Sequence, residues 1–246
     1  MNYERAQQIE ALGGIVAGFT TRSGGVSTGP FASLNLSFSS GDSRAVVTEN
    51  RRILAEPLGF SLDQIAIAGL VHSSRVAVVT EPGLVADVDA LVTAKSDILL
   101  CLTAADCAIV LLADAESRIV GACHAGWRGA AGGIVGATIA EMQSLGTAPA
   151  AIHAFISPCI STESFEVGPE VAVQFDADFV FTNSSSGKQH VDLKGAITRQ
   201  LVTAGVNEEL IEVHPECTFR NTRKYFSYRA EKANTGRMMG FIGMRD

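Results

Sequence analysis

The sequence predicts a mixed α+β fold, on three observations. Between residues 65 and 123 the chain breaks into six short apolar runs separated by turn residues, each of strand length and most rich in β-branched side chains. Helical spacing of apolar residues appears elsewhere, over residues 43–56 and 130–145. The strands come in consecutive blocks and do not alternate with helices, which favours mixed α and β over a regular βαβ repeat.

Taken in order, residues 14–19 form a short apolar strand, followed by a Gly- and Ser-rich loop over 21–30. Val46, Val47, Asn50, Ile53 and Leu54 recur at three- and four-residue spacing, and Pro57 stops that helix. The runs IAIAGLV, RVAVVT, DALVT, DILLCL, CAIVLLAD and RIVGAC then supply the strand block. Ile134, Val135, Ile139, Met142 and Leu145 share one stripe of the second helix. AIHAFI is a further strand, residues 182–188 are a loop, and Asp192 caps a helix running to about residue 204. The last strand lies between residues 237 and 242.

With 47% hydrophobic and 18% charged residues, the chain is neither disordered nor fibrous, and residues 1–246 fit one domain. Nineteen Lys and Arg against 26 Asp and Glu give a net charge of −7, with no basic tract. That balance disfavours nucleic acid and anionic membranes and favours a small-molecule partner. Residues 1–14 carry charges where a signal peptide needs an apolar core. No apolar run reaches the ~20 residues of a membrane span. Five scattered cysteines do not make a disulfide framework, so a cytoplasmic setting is expected.

The chemistry-bearing residues concentrate in TAADCAIVLLAD and GACHAGWRGAAGG. Cys107 begins one predicted strand beside Asp106 in a turn, and His124 ends the next. Joined antiparallel near Glu116, these strands bring Cys107 and His124 together. His72 also ends a strand. Two imidazoles and a thiolate suit Zn²⁺ and leave a position open for water or substrate, although the spacing matches no CxxC or HxxxH pattern. The loop HAGWRGAAGG matches no nucleotide fingerprint. Its glycines fit either an anion held with Arg128 or tight packing of a helix on a sheet. Cys123 should point away from His124 into the core, Cys101 reads as core, and Trp127 fits a pocket floor or packing equally.

At HAGWRG and TAADC the chain resembles a known family. These are the bacterial laccase-domain proteins, also called multicopper polyphenol oxidoreductase-like or peptidoglycan editing factor proteins. The segments GGVSTGPFASLNLSF, NRRIL, VHSSRV, SPCI, EVGPEV, HVDL, CTF and FSYRAEKANTGR follow in family order across nearly the whole length. The chain departs from the pattern at Leu70 and Ser73 around VH, at Ser157 and at Ala230. The resemblance implies a layered sandwich of mixed sheets flanked by helices. It implies Zn²⁺, with copper as the alternative, on His72, Cys107 and His124.

Five histidines are too few for a trinuclear copper cluster, so multicopper oxidase chemistry is not expected. The resemblance implies instead phosphorolysis of adenosine, inosine and methylthioadenosine, with adenosine deamination as a side activity. The partners would be a nucleoside and phosphate, and the enzyme a monomer or small homo-oligomer. Against that chemistry Arg51, Arg128, Arg229 and the amides around Gly129 are the phosphate candidates. Asn50 is the candidate for a ribose or base contact, and Asp106 for proton transfer beside Cys107 and His124. The zinc-deaminase signature HxE…PCxxC is absent. Two rivals stand: a Cys107–His124 amidohydrolase acting on a nucleotide-linked muramoyl precursor, and a metal-dependent binding module without catalysis.

Overall fold

The computed structural model describes residues 3–245. The chain first forms β1 (Tyr3–Arg5), α1 (Gln7–Glu10), β2 (Ile15–Thr20), α2 (Arg44–Ala55), β3 (Ile65–Gly69), β4 (Val76–Val78), β5 (Gly83–Ala86) and β6 (Ala90–Thr93). The central stretch gives β7 (Leu99–Ala104), β8 (Ala108–Asp114), β9 (Ile119–Ala125), α3 (Trp127–Ala131), α4 (Ile134–Ser144) and β10 (His153–Ile156). Next come β11 (Glu166–Val167), α5 (Pro169–Ala172), β12 (Val180–Thr182), β13 (Gln189–Val191) and α6 (Leu193–Thr203). The chain closes with β14 (Ile211–Val213), α7 (Tyr228–Glu231) and β15 (Met238–Met244).

Two six-stranded sheets form the frame, in the orders β1-β2-β15-β7-β3-β5 and β14-β10-β8-β9-β6-β4. Both are mixed: β3 runs parallel to β7 while β15 runs antiparallel to it, and β10 is parallel to β14 but antiparallel to β8. Side-chain alternation shows how they stack. Ile109, Leu111 and Ala113 of β8 share a core with Phe19, Leu100, Leu102 and Ile242 of the first sheet. Ala108, Val110 and Leu112 face the other way, onto Ile134, Val135 and Ile139 of α4 and Leu193 and Ile197 of α6. The outer face of the first sheet, Cys101 and Phe241 included, packs under Leu54 and Ala55 of α2. The expected sandwich flanked by helices is therefore four layers deep. Strands buried on both faces, as β6 to β9 are almost throughout, read as continuous apolar runs.

Three local readings change. The helix expected over 130–145 is two helices. Gly133, at φ +77°, breaks the ladder before α4, and a Cβ on Gly132 would sit 2.4 Å from the Ser74 hydroxyl oxygen. The strand read as IAIAGLV stops at Gly69, because the backbone beyond it turns to face Asp89. A small third sheet, β11-β13-β12, was not foreseen, since strands of two or three residues show no period. Asp192 does cap α6, its carboxylate accepting from the Gly195 amide. Among the described residues no helix is long and apolar enough to cross a membrane.

Candidate metal centre and substrate cleft

The two large sheets exchange the chain several times, and two of the three candidate donors sit at those exchanges. His72 lies between β3 of the first sheet and β4 of the second, and Cys107 between β7 and β8. His124 is on β9, opposite Ile109 in the register that joins β8 to β9. The hairpin thus places Cys107 beside His124 as the strand order required. The ligand atoms of His72, Cys107 and His124 all lie within 4.8 Å of one another. The two imidazoles meet edge to face with centroids 5.1 Å apart. His124 is buried, Cys107 half-buried and His72 exposed, so the triad opens to solvent on one side. Gly126 is required here, because a Cβ at that position would stand 2.8 Å from the Cys107 sulfur.

Electrostatics prepare the donors. Burial raises the Cys107 thiol, but the charges and hydrogen bonds of His124 and His72 outweigh it and hold the thiol down to about 6. Burial likewise works against charge on His124, yet the Cys107 thiolate and Asp89 carry it up to about 9. Each of the two thus favours the charged form of the other, thiolate and imidazolium. Asp89 accepts from His124 Nδ1 at 3.0 Å, which leaves Nε2 as the ring nitrogen not engaged by the carboxylate. Burial would raise the Asp89 carboxyl, but hydrogen bonds from His124 and Ser73 hold it far below the usual range. Two imidazoles and one low-lying thiol, one imidazole fixed by a carboxylate, fit a three-donor zinc site with an open position.

The triad lines a cleft of about 1090 Å³. Arg44, Arg51, Arg128 and Arg237 line it as well, and none of the four forms a salt bridge to a described carboxylate. Both Arg44 and Arg51 stack on Phe38, with guanidinium carbons 4.4 and 3.9 Å from the ring centroid. Arg51 also donates twice to the Leu36 carbonyl. Arg128 lies over Trp127 at 4.1 Å, and Arg237 over Tyr228 at 5.7 Å. Phe38 and Tyr228 give the cleft aromatic surface, and Tyr228 is 51% exposed. Trp127 itself packs on the α4 side of the second sheet and does not line the cleft.

Four expected site residues stand elsewhere. Asn50 is fully buried, with Oδ1 accepting from the Val26 amide at 2.8 Å and Nδ2 donating to Ser27 Oγ and the Asn35 carbonyl, both at 2.8 Å. It pegs the 21–37 loop to α2 and has no group left for a ribose. Asp106 has φ +81° and accepts from Thr218 Oγ1 at 2.6 Å, Ser227 Oγ at 3.0 Å and the Arg229 amide at 2.6 Å. Its carboxylate is a clamp on the turn before Cys107, not a free proton carrier. Arg229 turns away from the cleft to the Glu166 carbonyl, over Phe165. Gly129 is buried, and a Cβ there would meet the His124 carbonyl at 2.9 Å, so that glycine serves packing of α3 on β9. Sequence reasoning missed Asp89, Arg44, Arg237, Phe38 and Tyr228. The one available signal was Asp89, an acid opening an otherwise apolar strand.

Residues 16–245 match the family described as multi-copper polyphenol oxidoreductase laccase. The chain belongs to that family. Its relatives include a protein of Deinococcus radiodurans named purine nucleoside phosphorylase, 43% identical over 92% of this chain and 88% of that one. A protein of Corynebacterium glutamicum bearing the same enzyme name is 37% identical over 91% of this chain and 92% of its own. Among solved structures, YlmD of Geobacillus stearothermophilus superposes with a TM-score of 0.90 at 37% identity, covering 96% of this chain and 93% of that one. The YfiH structure from Bacillus licheniformis gives 0.90 at 32% identity, covering 94% and 93%. The copper in the family's description finds no multinuclear cluster among the described residues, where one three-donor group is present.

Proposed function

We propose that the protein is a zinc-dependent purine nucleoside phosphorylase. The observation that carries this reading is the cleft, where a His-Cys-His triad shares one wall system with four arginines free of carboxylate partners. Relatives named for the same activity, matched over nine-tenths of this chain, support it. In phosphorolysis a phosphate oxygen bonds to C1′ of the ribose, the C1′–N9 bond breaks, and the base leaves with that electron pair and takes up a proton. Arg128 and Arg237 hold the phosphate by planar, bidentate hydrogen bonds and offset its charge. Phe38 and Tyr228 offer stacking surface to the purine. A zinc ion on His72, Cys107 and His124 supplies Lewis acidity when bound. The chain's part is to keep the thiol ionised and to present His124 by a fixed nitrogen.

Incubating purified protein with adenosine, with and without phosphate, and separating the products tests the assignment. Adenine and ribose 1-phosphate should form only with phosphate. Inosine formed equally in both arms would make the enzyme a deaminase, and no turnover with adenosine, inosine or methylthioadenosine would remove the reading.

One observation favours a second reading, a Cys107–His124 hydrolase: the thiol lies low and the imidazole high. Iodoacetamide labelling with peptide mapping separates the two. Sulfur committed to a metal resists alkylation, so Cys107 should be protected in the metal-replete protein and label once a chelator is added. Rapid labelling without chelator would favour the hydrolase. His72 has no part in a two-residue dyad, yet its ring lies 5.1 Å from that of His124.

A further inference from the structure

We propose that Asp89 is the positioning residue of the metal centre, one carboxylate that presets both histidine donors. The inference rests on the metal-site reading of His72, Cys107 and His124. Asp89 is fully buried at the start of the β6 strand and is surrounded by donors. Its Oδ1 meets His124 Nδ1 and accepts from the His72 amide, both at 3.0 Å. Its Oδ2 accepts from the Ser73 amide at 2.7 Å, the Ser73 hydroxyl at 2.9 Å and the Val71 amide at 3.2 Å. The backbone repeats the connection, because the Asp89 carbonyl accepts from the His124 amide at 2.8 Å. His124 is thus held at its ring and at its main chain by one residue.

The hold on His72 is of another kind. Its φ of +59° lies in the left-handed region, which a non-glycine residue adopts only when its surroundings impose it. The surroundings are three consecutive amides, Val71 to Ser73, converging on the Asp89 carboxylate. A carboxylate is needed because every neighbour is a donor. An asparagine has one oxygen, so its NH₂ must face either the Ser73 side or the His124 side. In the second case Nδ1 has to accept, and the ring proton moves to Nε2, the nitrogen a metal needs. Exposed His72 and buried His124 are coupled through this group although they come from different strand ends.

Asp89→Asn is the test, read by zinc affinity in competition with a chromophoric chelator and by ¹H–¹⁵N spectra of the zinc-loaded protein. Wild type should bind zinc with His124 Nε2 on the metal and Nδ1–H hydrogen-bonded. The variant should bind about 10- to 100-fold more weakly and lose that Nδ1–H signal. Wild-type affinity in the variant with the signal intact would overturn the proposal. If the variant does not fold, the wild-type spectrum still decides, because zinc bound through Nδ1 would overturn it as well. Failure of the wild type to bind zinc at this triad would instead remove the metal reading, and the proposal with it.

Discussion

Cys107→Ala should strip the metal from the protein and abolish turnover while leaving the fold intact. The thiolate is the anionic donor of the triad, and what remains is two imidazoles, one exposed. Zinc content should fall from one per chain to near zero. If zinc contributes several kcal/mol of charge stabilisation, phosphorolysis drops by ~10³-fold or more. The fold survives because Cys107 is half-buried at a strand start, and a methyl group fits where Gly126 already left room for sulfur. Metal analysis, a thermal melt and the adenosine assay read the three parts separately. A variant that keeps full zinc occupancy would sink the ligand assignment. One that loses zinc but not activity would sink the metal's catalytic role.

Asn50→Ala should behave in the opposite way, with a large loss of stability. Truncation leaves the Asn35 carbonyl buried without its partner and the Val26 amide without its acceptor, and the buried Ser27 hydroxyl loses a donor. Unsatisfied buried groups cost ~1–3 kcal/mol each, of which relaxation of the loop recovers part, so a net loss of ~3 kcal/mol is expected. For a chain of this length that lowers Tm by ~6–12 °C. A melt and a nucleoside titration on the same preparation discriminate the roles. Tm within a degree of wild type together with a raised nucleoside KM would restore the ribose contact.

These two residues show what was legible. Cys107 and His124 were found because antiparallel pairing fixes which ends of neighbouring strands meet, and the register of Ala108 with Ala125 follows from a short hairpin; His72 was legible only as a histidine closing an apolar run. Cys123 was placed in the core by its alternation with His124 and Cys101 by its apolar run, and both are fully buried. Asn50 carried its own warning, since it stands on the apolar stripe of α2 beside Val47 and Leu54. A polar residue on that stripe is a peg facing inward. Arg229 and Arg237 could not be told apart by sequence, because side-chain direction in the irregular segment around α7 depends on tertiary contacts such as the Glu166 carbonyl. Asp89 has four of its five partners at Val71–Ser73 and the fifth at His124, a convergence that no local spacing encodes.

The placement of two of the donors at exchanges between the two sheets has a consequence for assembly. Cys107 and His124 meet as soon as the β8–β9 hairpin pairs, but His72 arrives by a separate passage between the sheets, so all three donors are together only once the sheets have closed on their common core. A nascent or half-folded chain offers at most the hairpin's two donors, which hold zinc more weakly than three. On the proposed metal reading, capture works as an inspection step that only finished molecules pass. A captured ion also clasps the two sheets, resisting their separation by ~2.7 kcal/mol at a free metal concentration of 100 Kd. Chelation should therefore speed proteolysis first at the passages around His72 and Cys107, ahead of the sheet interiors.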